Sequence, residues 1–201
     1  IATGSHFSKS YGNTYKEILN NGIKITKKIE TLQSDKINNI GLPIAKCIKE
    51  SSTYFENNKP DILMILGDRY EALAIAISAH INKIPIAHIH GGELTQNLMD
   101  DAFRHSITKL SQIHFVANKI YKKRVIQLGE NPKNVFVTGA LGIEAIKKTK
   151  LLSKNEIEKK LKIKLNKKIV IVTLHPETLD IKFNQKKVDI MLDSIKSFKN
   201  D

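Results

Sequence analysis

Five short runs rich in Ile, Leu and Val punctuate the first 140 residues, at 1–3, 61–67, 84–90, 113–117 and 134–138. Each stops at or beside a Gly, Asn or His. Most are continuous in apolar residues rather than alternating, the pattern of parallel strands covered on both faces. A sixth run, 169–174, follows a lysine-rich stretch. Parallel strands need crossover connections, and the intervening segments have helical period. Residues 15–30 keep Ile18, Ile25 and Ile29 to one side with Leu19 beside them, and residues 42–55 carry Pro43 in a first turn. Residues 71–81 are Ala-rich and apolar almost all round, which predicts a buried helix. Residues 100–110 and 119–128 complete the set. The alternation predicts an α/β fold with a doubly wound, Rossmann-like parallel sheet.

Residues 1–140 read as an N-terminal Rossmann-like domain, 141–167 as a charged helical connection, and 168–201 as the start of a second Rossmann-like domain. One strand and two helical stretches are too few to bury a core of their own. The chain opens on Ile1 rather than Met, so a longer native chain is expected.

The balance of 33 basic and 20 acidic residues gives a net charge of +13. Only Arg69, Arg104 and Arg124 are arginines, and the stretch 147–168 has neither Arg nor aromatics and is interrupted by Glu156 and Glu158. That reads as a solvated helical surface, so no nucleic-acid partner is expected. Cys47 is the lone cysteine. It excludes a disulfide framework and a multi-cysteine zinc site, suits a reducing cytoplasm, and reads as core packing. No apolar run approaches the roughly 20 residues of a membrane span, so no membrane partner is expected. Neither a Walker loop nor GxGxxG occurs.

Open parallel sheets bind ligands at the carboxyl ends of their strands, and those ends are polar here. The second run leads into Asp68-Arg69, the third into His88-Ile-His90-Gly-Gly-Glu93, and the sixth into His175-Pro-Glu177. Asp100-Asp101-Ala-Phe-Arg104-His105 opens a helix close behind. Asp100 and Arg104 are four apart, so they can share a helical face and hold each other ionised. Asp68-Arg69 also reads as a capping pair. His88 and His90, two apart, would face one side of a strand and could ligate a metal with Glu93 or Asp100. No second donor cluster at matched spacing follows, so no metal is expected. Gly91-Gly92 permits close backbone approach to a ligand. Carboxylates, an Arg and histidines converging on one rim suit removing and returning a proton while an anionic leaving group is stabilised.

The motifs resemble those of the hydrolysing UDP-N-acetylglucosamine 2-epimerases of sialic-acid and related nonulosonic-acid biosynthesis. The resemblance is carried by Gly4-Ser-His6 with Tyr11-Gly-Asn-Thr-Tyr15, Gly67-Asp68-Arg69, His88 to Glu93, Asp100 to Ser111, and Thr173-Leu-His175-Pro, in the family's order along nearly the whole chain. It implies the first domain of a glycosyltransferase-B-type two-domain architecture with its second domain truncated, and a UDP-sugar bound between the domains. It also implies no cofactor, a cytoplasmic enzyme and a homodimer at full length. The implied reaction takes the C2 proton, expels UDP from C1, and adds water to the 2-acetamidoglucal, turning UDP-GlcNAc into ManNAc and UDP. Asp68, Asp100 and Arg104 match catalytic-cleft positions, His175 the second domain's histidine, and His6 a substrate-side histidine. Arg69 and His90 fall on the substrate side.

Some members carry an essential Glu where this chain has His90, which makes Glu93 the replacement candidate for the second carboxylate. The HIHGGE form is associated with bacterial members, some acting on UDP-N,N'-diacetylbacillosamine in legionaminic acid biosynthesis, and that is the alternative substrate. Family chains are nearly twice as long, and the resemblance implies that the first strand of the N-terminal domain is missing here, so this piece alone is expected to be inactive. The alternative of a different class is a non-catalytic, truncated nucleotide-sugar-binding module.

Overall fold

The chain opens with β1 (Ala2–Thr3), which pairs in parallel with β2 (Lys28–Ile29). In this computed structural model the described residues are 1–31, 40–95, 98–165, 169–174 and 181–197, without the side chains of 181–185. They fall in two units, residues 1–140 and 141–201. Between β1 and β2 lie a 3-10 turn (Gly4–Phe7) and α1 (Tyr15–Asn20). The helix expected over 15–30 therefore stops ten residues early. Asn20-Asn21-Gly22 is a stop signal, with Gly22 in the left-handed region at φ +76°. Ile29 is freed to enter β2, where it is fully buried.

After α2 (Gly41–Asn57) the alternation follows the predicted order. It runs β3 (Leu63–Leu66), α3 (Tyr70–Ile81), β4 (Ile86–Ile89), α4 (Met99–Leu110), β5 (Ile113–Val116), α5 (Lys119–Gln127) and β6 (Val135–Val137). These four strands form one parallel sheet in chain order, with Ile65 opposite His88, His88 opposite His114, and His114 opposite Val135.

The main core gathers Phe55 of α2, Ile65, the α3 residues Ile75, Ala76 and Ala79, then Ile84, Ile86 and Ile107. Alanines along α3 let α2 approach closely enough for the Ser51 hydroxyl to donate to Ser78 Oγ at 2.7 Å. Cys47 packs with Ile29 and Ala74, tying β2 to both helices. Each large apolar side chain so enclosed is worth about 1.5–3 kcal/mol.

Burial on both faces holds for β4 but not throughout. Met64 and Leu66 of β3, and Phe136 and Val137 of β6, are exposed. The parallel ladder is interrupted between β1 and β3, whose residues line a shared groove of about 300 Å³. Met64 and Leu66 face that opening.

The second unit holds α6 (Leu141–Lys148), α7 (Lys154–Leu161) and α8 (Ile181–Ser197). A capping box starts α7, with Ser153 and Glu156 satisfying each other's backbone N–H. Residues 169–174, expected as a strand, carry no strand pairing, and Val170 and Ile171 are exposed. A strand is stable only in a ladder, and the unit's other described elements are helices.

Candidate active site

β3 delivers Gly67, Asp68 and Arg69 at its carboxyl end, and Arg69, with extended backbone, precedes α3. From α4, Arg104 reaches the same rim and is only 5% exposed. Its Nη2 donates to the Asp68 carboxylate and to Thr95 Oγ1 at 2.9 Å. Its Nη1 donates to Asp101 Oδ1 at 3.1 Å and to the Glu93 carbonyl at 3.0 Å. Asp101 Oδ1 also accepts the Thr95 N–H at 2.7 Å. One guanidinium thus joins the β3 end, the loop after β4, and α4.

The expected Asp100–Arg104 ion pair does not form. Asp68 takes one side of the guanidinium, and Asp101, at the i−3 position and already held by Thr95, takes the other. Asp100 is half-buried and makes no ion pair among the described residues. Burial, then the charge of Asp68, raises its carboxyl above the usual value, while Arg69 and Arg104 pull the other way. A carboxyl so placed is suited to exchanging a proton.

The two histidines of the third run part company. His88, fully buried on β4, donates from Nε2 to the Gly67 carbonyl at 2.9 Å and lies 3.2 Å from Thr108 Oγ1 through Nδ1. Burial pushes its imidazole down to about 4, so it is neutral near pH 7. His90 lies beyond the strand in the left-handed region at φ +66°, and its Nδ1 is 2.7 Å from Glu93 Oε1. The alternation that would have aligned the two rings therefore ends at Ile89. Among the described residues no group of three or more His, Cys, Asp or Glu is gathered closely enough to hold a metal ion. Gly92 does permit a close backbone approach, but from within the fold. At φ +78° a Cβ there would strike the Tyr121 carbonyl and Val125 of α5.

A second cluster lines the groove between β1 and β3, where Ser5, His6, Arg69 and Glu71 meet. His6 is exposed, with Nδ1 2.8 Å from Thr14 Oγ1. Arg69 joins the clusters, being adjacent to Asp68 and within electrostatic reach of Asp100. His175 lies outside the described residues. Asp101, Thr95 and Glu71 were not anticipated. Asp101 sits beside Asp100 three residues before Arg104, and Glu71 is a carboxylate starting an otherwise apolar helix; both signals are present in the sequence.

The sequence profile of the UDP-N-acetylglucosamine 2-epimerases matches residues 1–200. The chain is 45% identical over 202 residues to the GDP/UDP-N,N'-diacetylbacillosamine 2-epimerase (hydrolyzing) of Campylobacter jejuni, covering 100% of this chain and 52% of that one. It is 40% identical to polysialic acid biosynthesis protein P7 of Escherichia coli, covering 98% of this chain and 51% of the relative. The chain therefore spans about half the length of these relatives. In fold it is similar to the UDP-GlcNAc 2-epimerase of Neisseria meningitidis solved with UDP-GlcNAc, with a TM-score of 0.62 at 23% identity, covering 80% of this chain and 44% of that structure. The fold is thus the parallel α/β fold of that glycosyltransferase-B-type architecture, over the part of it that this chain covers. On the profile match and the identity along its whole length, the chain belongs to the UDP-N-acetylglucosamine 2-epimerase family.

Proposed function

We propose that the full-length protein is a hydrolysing 2-epimerase of a UDP-linked N-acetylated amino sugar. The observation that carries this reading is the half-buried Asp100 carboxyl, in no ion pair among the described residues, beside an Asp68 already committed to Arg104, in a chain of this family. Asp100 takes the C2 proton as the C1–oxygen bond breaks and UDP departs with the bonding pair, leaving a C1–C2 double bond. Arg69 and His6 balance the departing charge. Water then adds its hydroxyl at C1, and a proton returns to C2 from the opposite face, delivered by the hydrogen-bonded His90–Glu93 pair. The sum is UDP-sugar plus water giving UDP and the 2-epimeric free sugar, with no change of oxidation state. Arg104 braces the loops without meeting the substrate, and His175 acts from the second domain.

UDP-GlcNAc, giving ManNAc, is one substrate of this description. The 45% identity to a diacetylbacillosamine enzyme favours the 2,4-diacetamido sugar as the other. The enzyme is cytoplasmic and dimeric in this reading, and the 201-residue chain alone does not turn over. Among the described residues no helix is long and apolar enough to cross a membrane. Incubating the full-length gene product with each UDP-sugar and identifying the released sugar by NMR tests the reading. UDP release with a free 2-epimer supports it. Binding of either sugar without release assigns the chain to a non-catalytic binding module instead.

A further inference from the structure

Glu71 stands in the first turn of α3, 4% exposed, and faces the groove between β1 and β3. Two opposing contacts fix its carboxylate. Arg69 grips both oxygens, Nε to Oε2 at 3.1 Å and Nη2 to Oε1 at 3.3 Å. Gly4, at φ +69°, closes over the other side so tightly that a Cβ there would collide with Oε1. Only glycine supplies both that backbone conformation and that clearance. The positive end of α3 adds a third restraint on the negative charge.

The arrangement is asymmetric. Glu71 is hidden, whereas the Arg69 side chain is 62% exposed. An exposed arginine normally loses much rotamer freedom when it captures an anion. A two-point grip on a buried carboxylate removes that freedom in advance and leaves Nη1 and one Nη2 hydrogen outside the contact with Glu71. The same carboxylate seats Gly4, which begins the turn carrying His6. One buried charge therefore sets both cationic candidates of the groove.

We infer that Glu71 is a positioning residue that holds Arg69, and with it the His6 turn, in the geometry that receives the anionic diphosphate of the nucleotide sugar. This rests on the function proposed above and names a residue that function did not require.

The test uses the full-length protein, with UDP as the calorimetric ligand and UDP-sugar turnover as the second readout. Glu71→Gln keeps the shape and loses the charge, and Glu71→Asp keeps the charge and shortens the reach. Both are expected to weaken UDP binding about tenfold or more, about 1.4 kcal/mol, and to raise KM far more than they lower kcat. In an Arg69→Ala background, Glu71→Gln is expected to add less than about a twofold loss, because its effect passes through Arg69. Unchanged UDP affinity and KM in either variant, or a further tenfold loss in the Arg69→Ala background, overturns the proposal. Failure of both variants to fold assigns Glu71 to the scaffold and overturns it too. If the unaltered protein binds UDP but releases none from either UDP-sugar, the reaction is refuted while the binding cycle still decides Glu71. If it does not bind UDP, both fall.

Discussion

Arg104 on α4 donates to the Asp68 carboxylate at the end of β3, and both residues are drawn from water, with side-chain exposures of 6% and 26%. This bond directly joins the strand that presents Asp68 to the helix that presents Asp100. Because Asp101 shares the same guanidinium, removing Arg104 would take the arginine away from two carboxylates that stand beside a third. Breaking a buried ion pair from one side costs about 3–5 kcal/mol. Arg104→Ala is therefore expected to lower the unfolding free energy read from urea denaturation by that order, whereas Arg104→Lys, which cannot span Asp68 and Asp101 together, loses part of it. An Arg104→Ala protein as stable as the parent would remove this node from the fold's support.

Asp100 makes the opposite prediction. It engages in no ion pair among the described residues, so Asp100→Asn leaves the melting temperature within about 2 °C while lowering kcat by about 10²–10⁴. The sign of the pH dependence follows from the raised carboxyl. A base works only when deprotonated, so the rate falls with falling pH, along an acid limb lying above the ordinary carboxylate value of 3.8. Steady-state rates between pH 4 and 8 in the full-length enzyme check this. A limb at or below 3.8, or an active Asp100→Asn enzyme, assigns the proton to another group.

The alternation of strand and helix was legible from residue 41 to 137 because periodicity and burial coincide there. Ile86 and Ala87 are apolar on both faces and fully covered, and the largely apolar helix at 70–81 is mostly buried as its pattern requires. β2 was hidden inside an apparently helical repeat, since Ile25 and Ile29 fall on the helical period by spacing alone. The Asn20-Asn21-Gly22 stop outweighed that period. Within the site, residue types were readable but pairings were not. Spacing permits Arg104 to meet either Asp100 or Asp101, and the choice is made by Asp68 and the Thr95 N–H, which arrive from other loops. Glu71 stands out in the sequence only as a carboxylate at the start of a largely apolar helix, and its task is recognisable only once Arg69 and Gly4 are seen against it.

His88 predicts how stability responds to acid. Its imidazole is fully buried, donates to the Gly67 carbonyl, and titrates near 4 instead of 6.5. Between those values the unfolded chain binds a proton that the folded one refuses, so stability rises with pH across that window. On lowering the pH from 6.5 to 4 the fold loses up to about 3 kcal/mol from this group. His114, also lowered by burial, acts in the same direction. Urea midpoints measured from pH 7 to 4 are expected to fall, and His88→Asn should flatten the slope. A midpoint that stays level across the window would mean that His88 charges freely in the folded state.

His90 is held at φ +66°, where a residue with a Cβ is more strained than glycine, while its N–H donates to the Phe115 carbonyl at 2.9 Å and its ring meets Glu93. Backbone strain and side-chain chemistry can be separated by two substitutions. His90→Ala and His90→Gly both lose the 2.7 Å contact with Glu93, but only glycine relieves the conformation. The Gly protein is expected to be more stable than the Ala protein by about 1 kcal/mol. If the imidazole joins Glu93 in returning the proton, both enzymes lose kcat about equally, by about 10² or more. Equal stability of the two variants would show that the left-handed turn costs nothing. A Gly enzyme that recovers turnover would show that His90 serves the loop's conformation and takes no part in the proton transfer.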